Sequence, residues 1–352
     1  MYVTGIVRRI KQQDPSSHLT WIVSSKCKSM LLNNPDIDEI EEVVIPDASL
    51  NEAVFNRVVK EAFERTKSGL YSKVIVPQLL GSNMKYYDGT VCSSLFRSSG
   101  LSNNDLTCPR LFLTSAEKQT ADSFAEQYNL KSYKHIVLFE CAPQTNQLLL
   151  TDELILAYSR AIVQQGDACV ILSAPKAYQF NEPHVIDGNV LSIRETVALT
   201  HHCTILLGCS SGISWAATSN AAKPLQFVQI LAPDAYYFNP LSITLKKWQQ
   251  PLNNLIELVE FDVSKIGQVF RDIFSKGFDA SRETHNQKVE VQFRLHRGIV
   301  YQFLKKGRLG EIITFVKTNI KANGWNFHML KYISLGFIFF PVQLMFDQFK
   351  KN

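Results

Sequence analysis

The sequence predicts an α/β chain built on parallel, doubly wound sheets and followed by a basic helical segment. Three observations carry that reading. Short apolar runs alternate with stretches of helical spacing through roughly residues 1–275. One such run, Thr204 to Leu207, ends in the small-residue turn Gly208-Cys209-Ser210-Ser211-Gly212 before another helix. Residues 281–352 hold 12 Lys/Arg against 4 Asp/Glu, a balance of +8, while the rest holds 25 against 28, a balance of −3. The net charge of +5 therefore belongs to the carboxyl-terminal segment.

Val3 to Gln12 reads as a helix, His18 to Val23 as a short strand, Ser25 to Leu32 as a helix and Ile40 to Ile45 as a strand. Val54, Val58, Val59, Ala62 and Phe63 give Asn51 to Thr66 a helical face, and Lys73 to Pro77 reads as a further strand. Residues 81–110 are polar and predict short helices between domains. Ser115 to Tyr128 reads as a helix capped by Thr114 or Ser115.

The second unit is more regular. Strands are expected at Tyr133 to Glu140, Ala168 to Ser173, Thr204 to Leu207 and Pro224 to Ile230, with short extended pieces at Val185-Ile186 and Val190-Leu191. Helices are expected from Thr151, from Ser192 to His201, from Ile213 to Asn220 and near Lys265 to Ser275. The domains so predicted are 1–110, 111–278 and the basic segment 279–352.

Composition narrows the class. With 45% hydrophobic and 20% charged residues, 352 residues suffice for two ordinary cores. Seven scattered cysteines form no CxxC pair and no His cluster completes a zinc pattern, so reduced thiols without a structural metal are expected. Met1 to Lys11 lacks the apolar core of a secretory signal, which favours a cytoplasmic chain.

The turn has a direct chemical use. Gly208 and Gly212 let the backbone bend and approach a ligand, and Ser210 and Ser211 offer hydroxyls. Unpaired N–H groups at the start of the next helix suit a phosphate. The same residues also read as an ordinary strand-to-helix loop.

Three stretches resemble the heptosyltransferase-like glycosyltransferases of family 9, which have the GT-B fold of two Rossmann-like domains. They are Leu19-Thr-Trp-Ile-Val with Asn34-Pro-Asp-Ile-Asp-Glu-Ile40, then Ile136-Val-Leu-Phe-Glu-Cys-Ala-Pro143, then Leu207-Gly-Cys-Ser-Ser-Gly-Ile-Ser-Trp-Ala-Ala217 with Lys223-Pro224. The resemblance implies transfer of a hexose or heptose from a nucleotide-diphosphate sugar to a lipid-linked or cell-envelope glycan, as in lipopolysaccharide assembly. It implies no cofactor and no metal, because a helix N-terminus meets the leaving diphosphate. Donor-binding residues expected from it are Gly208, Ser210, Ser211 and Gly212, with Ser173, Glu195 and Thr145.

Ser210 and Trp215 stand where the family signature has Asp and His, and Gln144-Thr145-Asn146-Gln147 stands where it carries a cation. The family's presumed base is an Asp in a Gly-Asp loop ahead of the helix that Tyr2 to Lys11 resembles. This sequence begins at that helix, so either the base is expected upstream of Met1 or it has been lost, and no catalytic residue is assigned. His201-His202 and the Asp36, Asp38 and Glu39 group read as structural, the acids as a solvated turn.

Residues 298–346 mix cations with large apolar side chains. The run Tyr332 to Phe346 is 15 residues long with Pro341 inside it, below the roughly 20 needed to cross a bilayer. An interfacial helix on an anionic membrane is expected, at the inner face of the cell membrane and with no nucleic-acid partner. Packing of this segment onto the first domain is the alternative. Two other functions fit the same fold: a catalytically inactive scaffold on the membrane, and a non-hydrolysing sugar-nucleotide epimerase.

Overall fold

The computed structural model describes residues 2–102, 107–143, 148–235 and 238–349. Its strands are β1 (Thr20–Ser24), β2 (Glu39–Val43), β3 (His135–Glu140), β4 (Ala168–Ser173), β5 (Val185–Asp187), β6 (Ile205–Gly208), β7 (Gln226–Ile230) and β8 (Leu255–Leu258). Its helices begin with α1 (Tyr2–Gln13), α2 (Ser25–Lys28), α3 (Asn51–Lys67), α4 (Val91–Ser98) and α5 (Ser115–Gln127). They continue with α6 (Asp152–Val163), α7 (Ile193–Leu199), α8 (Gly212–Ala216), α9 (Leu241–Lys247), α10 (Val263–Lys276) and α11 (Phe278–His285). The last four are α12 (Arg294–Lys305), α13 (Leu309–Asn323), α14 (Phe327–Ile338) and α15 (Phe340–Phe349).

Two compact units result. The first comprises Met1–Val74, Thr107–Ala235 and Pro240–Val289; the second comprises Ile75–Leu106, Tyr236–Asn239 and Glu290–Asn352. The first unit holds a two-stranded parallel sheet, β1-β2, and a six-stranded parallel sheet in the order β5-β4-β3-β6-β7-β8. The chain is thus α/β with parallel sheets, as the alternating pattern predicts.

The strands of the larger sheet are apolar almost without interruption because both faces are covered. Val137, Phe139, Val170, Leu172, Ile205 and Leu207 share one core with Ile155, Tyr158 and Ile162 of α6 and Ile266, Val269 and Phe270 of α10. Leu138, Ile171 and Leu206 alternate with them and are fully buried too. Thr151 caps α6, accepting from the Leu154 amide at 3.3 Å, and Thr114 with Glu117 forms a reciprocal capping box on α5.

Several expectations are corrected. Residues 73–77 make no strand; they run without a ladder partner among the described residues. Val190-Leu191 is a turn, with the Leu191 amide bonded to the Gly188 carbonyl at 3.0 Å. The helix after the glycine turn stops at Ala216 rather than Asn220, and β8, α9 and α11 were not expected. Asp36 is not a solvated turn residue, since it is buried and paired with Arg8 at 3.0 Å.

In the second unit His296 of α12 is ringed by Tyr87, Phe293 and Phe315 of α13. Its Nε2 faces the Asn319 Oδ1 at 2.6 Å, and the Asn319 amide donates to the Tyr87 carbonyl at 2.9 Å. Burial pushes the imidazole down to about 4, so it is neutral at pH 7.

Arg194 of α7 knits the first unit together. Its guanidinium is buried and donates to Glu117 of α5 at 2.5 and 2.9 Å, to the Phe112 carbonyl at 2.5 Å and to the Ser29 carbonyl at 2.9 Å. The guanidinium holds the Glu117 carboxyl down at about 2, against an ordinary 4.5. A depressed carboxyl stabilises the fold above its unfolded value and loses that contribution as pH falls toward its folded value. The shift corresponds to roughly 3 kcal/mol. Glu117→Gln should therefore be less stable than wild type by about that amount at pH 7. In urea unfolding measured at a series of pH values, the gap should shrink from pH 4.5 downward. A gap independent of pH would contradict this ion pair.

Candidate functional site

In the larger sheet β3 and β6 are hydrogen-bonded neighbours, yet the chain leaves them in opposite senses: β3 leads to β4 on one side and β6 to β7 on the other. Open parallel sheets bind ligands outside the carboxyl ends of their strands at such a switch point. The residues that end these strands are Glu140 on β3, Ser173 beside it on β4, and Gly208 on β6. Of the expected donor residues, Gly208, Ser210, Ser211, Gly212 and Ser173 thus gather along adjacent strand ends.

The turn is wrapped around the Glu140 carboxylate. One oxygen, Oε1, accepts from the Ile213 amide at 2.8 Å and the Ser214 amide at 3.3 Å. The other, Oε2, accepts from the Cys209 amide at 3.0 Å, the Ser211 amide at 3.4 Å and the Ser214 hydroxyl at 2.5 Å. Glu140 is only 3% exposed. Hydrogen bonds from the turn and the first turn of α8 offset the cost of burying that group. The reading that this turn offers convergent donors to an anion is chemically sound, and the anion in place is a side chain of the same protein.

Gln229 completes the frame. It lies opposite Gly208 in the β6–β7 register, is fully buried, and accepts from the Ser210 amide at 2.7 Å. A Cβ on Gly208 would sit 2.2 Å from the Ser214 hydroxyl and 2.5 Å from the Gln229 amide nitrogen, so only glycine fits. Ser210 has a φ of 54°, in the left-handed region that costs an ordinary side chain about 1 kcal/mol. Its carbonyl accepts from the Trp215 indole at 3.1 Å, and Trp215 packs edge-on against Trp248 at 6.0 Å. Burial pushes the Cys209 thiol well up and the Cys141 thiol up to about 12, which leaves both protonated and poor nucleophiles.

The individual candidates differ. Ser210 and Ser211 are buried, whereas Gly212 is exposed with open space around its Cα. Ser173 is half-buried, and its carbonyl accepts from the Cys141 thiol at 3.5 Å. Glu195 belongs to a capping box on α7, accepting from the Ser192 amide at 2.7 Å. Thr145 lies outside the described residues. His202 pairs with Asp122 at 2.7 Å and His201 faces the Ala221 carbonyl at 3.2 Å, both structural contacts. Sequence reasoning missed Glu140, Ser214 and Gln229. The available signal was a glutamate closing an apolar strand and a glutamine inside another.

No family model matches the sequence, and no curated protein matches it either. Among solved structures, the chain is similar to a glycosyl transferase family 9 protein from Veillonella parvula. The TM-score is 0.52 at 14% identity, over 78% of this chain and 86% of that one. The likeness is one of fold: the chain shares the architecture of a glycosyltransferase.

Removing the carboxylate should be costly. Glu140→Ala would leave four amides without the carboxylate that accepts from them, with an expected loss of about 3–5 kcal/mol. Ser214→Ala, which removes a single hydroxyl, should cost about 1 kcal/mol. Denaturant midpoints of the two variants check this order, and equal stabilities would contradict the role given to Glu140.

Proposed function

We propose that the chain is a glycosyltransferase that moves a sugar from a nucleotide-diphosphate donor to a lipid-linked or cell-envelope glycan acceptor. One observation carries the reading: the fold is shared with a glycosyltransferase, and this chain's larger sheet has its switch point at the strand ends bearing Glu140, Ser173 and Gly208. The donor would lie across those ends, with its diphosphate toward the exposed Gly212. In the reaction the acceptor oxygen bonds to the anomeric carbon as the bond to the diphosphate breaks, and the acceptor's proton passes to a base. The turn amides now held by Glu140 would have to turn to the departing diphosphate to stabilise it without a metal. The acceptor would be met at the inner face of the cell membrane.

A second reading is favoured by Glu140 itself. Its carboxylate already engages the amides of Cys209, Ser211, Ile213 and Ser214 that a diphosphate would seek. A binding or scaffolding subunit with a glycosyltransferase fold and no transfer activity accounts for that occupancy without any rearrangement.

Thermal unfolding of wild type and Glu140→Gln in a panel of nucleoside diphosphates and nucleotide sugars separates the two. A like charge roughly 6 Å from an incoming phosphate opposes it by about 3 kcal/mol at an effective dielectric near 20. The transferase reading therefore expects at least one nucleotide to raise the melting temperature. It also expects the neutral variant to bind that nucleotide at least tenfold more tightly. If no nucleotide stabilises either protein, the transferase reading falls and the scaffold reading stands.

A further inference from the structure

We propose that the outer face of α14 and α15 is a docking surface for an anionic lipid bilayer, on which the protein rests without crossing it. This inference is independent of the activity proposed above. It begins with how α14 is oriented. Met329, Ile333 and Gly336 recur at helical spacing and form its buried face, and α12 is its main partner. Gly336 sets the closeness of that approach, since a Cβ there would lie 2.6 Å from the Val300 Cβ. With that face fixed inward, the opposite face points out and mixes apolar side chains with a cation: Phe327 is 88% exposed and Ile338 is 66% exposed, with Lys331 and Ser334 exposed between them.

The chain then bends by 52° into α15, which presents Val342, Met345 and Phe346 outward. Asp347 anchors α15, accepting from the Tyr301 hydroxyl at 2.6 Å and pairing with Lys305. Trp325, just ahead of α14, is also exposed. Scattered apolar residues are normal on a protein surface, but exposed Trp325, Phe327, Ile338, Met345 and Phe346 on two consecutive helices and the turn before them, with Lys331 among them, suit an interaction surface.

Charge selects the occupant. Residues 294–352 hold ten Lys/Arg against two Asp/Glu, and Lys317, Lys321 and Lys331 are exposed on α13 and α14. A second copy on the same face would bring two strongly positive surfaces together. An anionic headgroup layer instead neutralises the cations while its acyl boundary takes up the aromatic side chains. Among the described residues no single helix is long and apolar enough to cross a membrane, and α14 with α15 reaches that length and apolarity only as a pair bent by 52°. Because α14 keeps one face packed on α12, seating at the interface is the geometry we infer for the two helices.

The test is co-sedimentation of the full chain with vesicles of phosphatidylglycerol and phosphatidylcholine, compared with vesicles of phosphatidylcholine alone. Binding to the mixed vesicles should exceed binding to the neutral ones at least tenfold and weaken in high salt. The double variant Phe327→Ser/Phe346→Ser should lose at least tenfold on mixed vesicles while its melting temperature and circular dichroism stay as in wild type, because both side chains are largely exposed. Three outcomes would overturn the proposal. The wild type fails to bind anionic vesicles. The double variant binds as well as wild type, which would leave charge alone as the attraction. Light scattering shows a dimer that the double variant abolishes, which would make a second copy the occupant.

Discussion

The carboxylate of Glu140 draws the amides of Cys209, Ser211, Ile213 and Ser214 and the Ser214 hydroxyl to one point at the carboxyl edge of the sheet. Much of the local geometry follows from that convergence. α8 has only five residues and no side-chain cap of its own, so its first amides need an acceptor from elsewhere. Glu140 supplies it from β3, the strand next to β6. The helix start, the turn and the two central strands are thereby joined through one side chain. The requirement that Gly208 have no Cβ follows too, because the Ser214 hydroxyl and Gln229 fill that space.

The same device recurs at the far edge of the sheet. Glu257 of β8 is buried and accepts from the Ser242 amide at 3.1 Å, in the first turn of α9, whose N-cap Pro240 provides no side-chain cap. Burial raises the Glu257 carboxyl, so desolvation outweighs its hydrogen bonds there. Two short helices in this unit therefore begin on strand-borne carboxyls, whereas α5 and α7 begin on their own capping boxes. The two departures from the glycosyltransferase signature also explain one another. Ser210 sits at a strained φ, and the indole of Trp215 holds its carbonyl in place. The pair holds the turn in its left-handed conformation at Ser210.

Much of the fold was legible in the sequence because periodicity and capping are local. Apolar runs located β3, β4, β6 and β7, and Thr114, Thr151 and Ser192 marked the starts of α5, α6 and α7. What was missed depends on partners distant in the chain. Leu255–Leu258 is a four-residue run that becomes a strand only by pairing with β7, while residues 73–77, with three consecutive branched apolar residues, find no such neighbour among the described residues. The candidate site was legible as a place, since Gly208 to Gly212 and Ser173 do lie at adjacent strand ends. Its content was not legible. Glu140 reads as the polar end of a strand, and nothing in its local sequence says that its carboxylate reaches residues about seventy positions away.

Contrasting polarity in the two units follows from the same rule that buried polar groups need partners and apolar faces need cover. At the strand ends of the first unit, polar groups are turned inward and satisfied by one another. In the second unit, α14 buries Met329, Ile333 and Gly336 and leaves Phe327 and Ile338 outside. Packing alone does not require that choice, since Phe327 and Phe346 could be serine without opening a cavity in a core they do not touch. The proposed bilayer surface would take up those exposed apolar side chains and the neighbouring cations together.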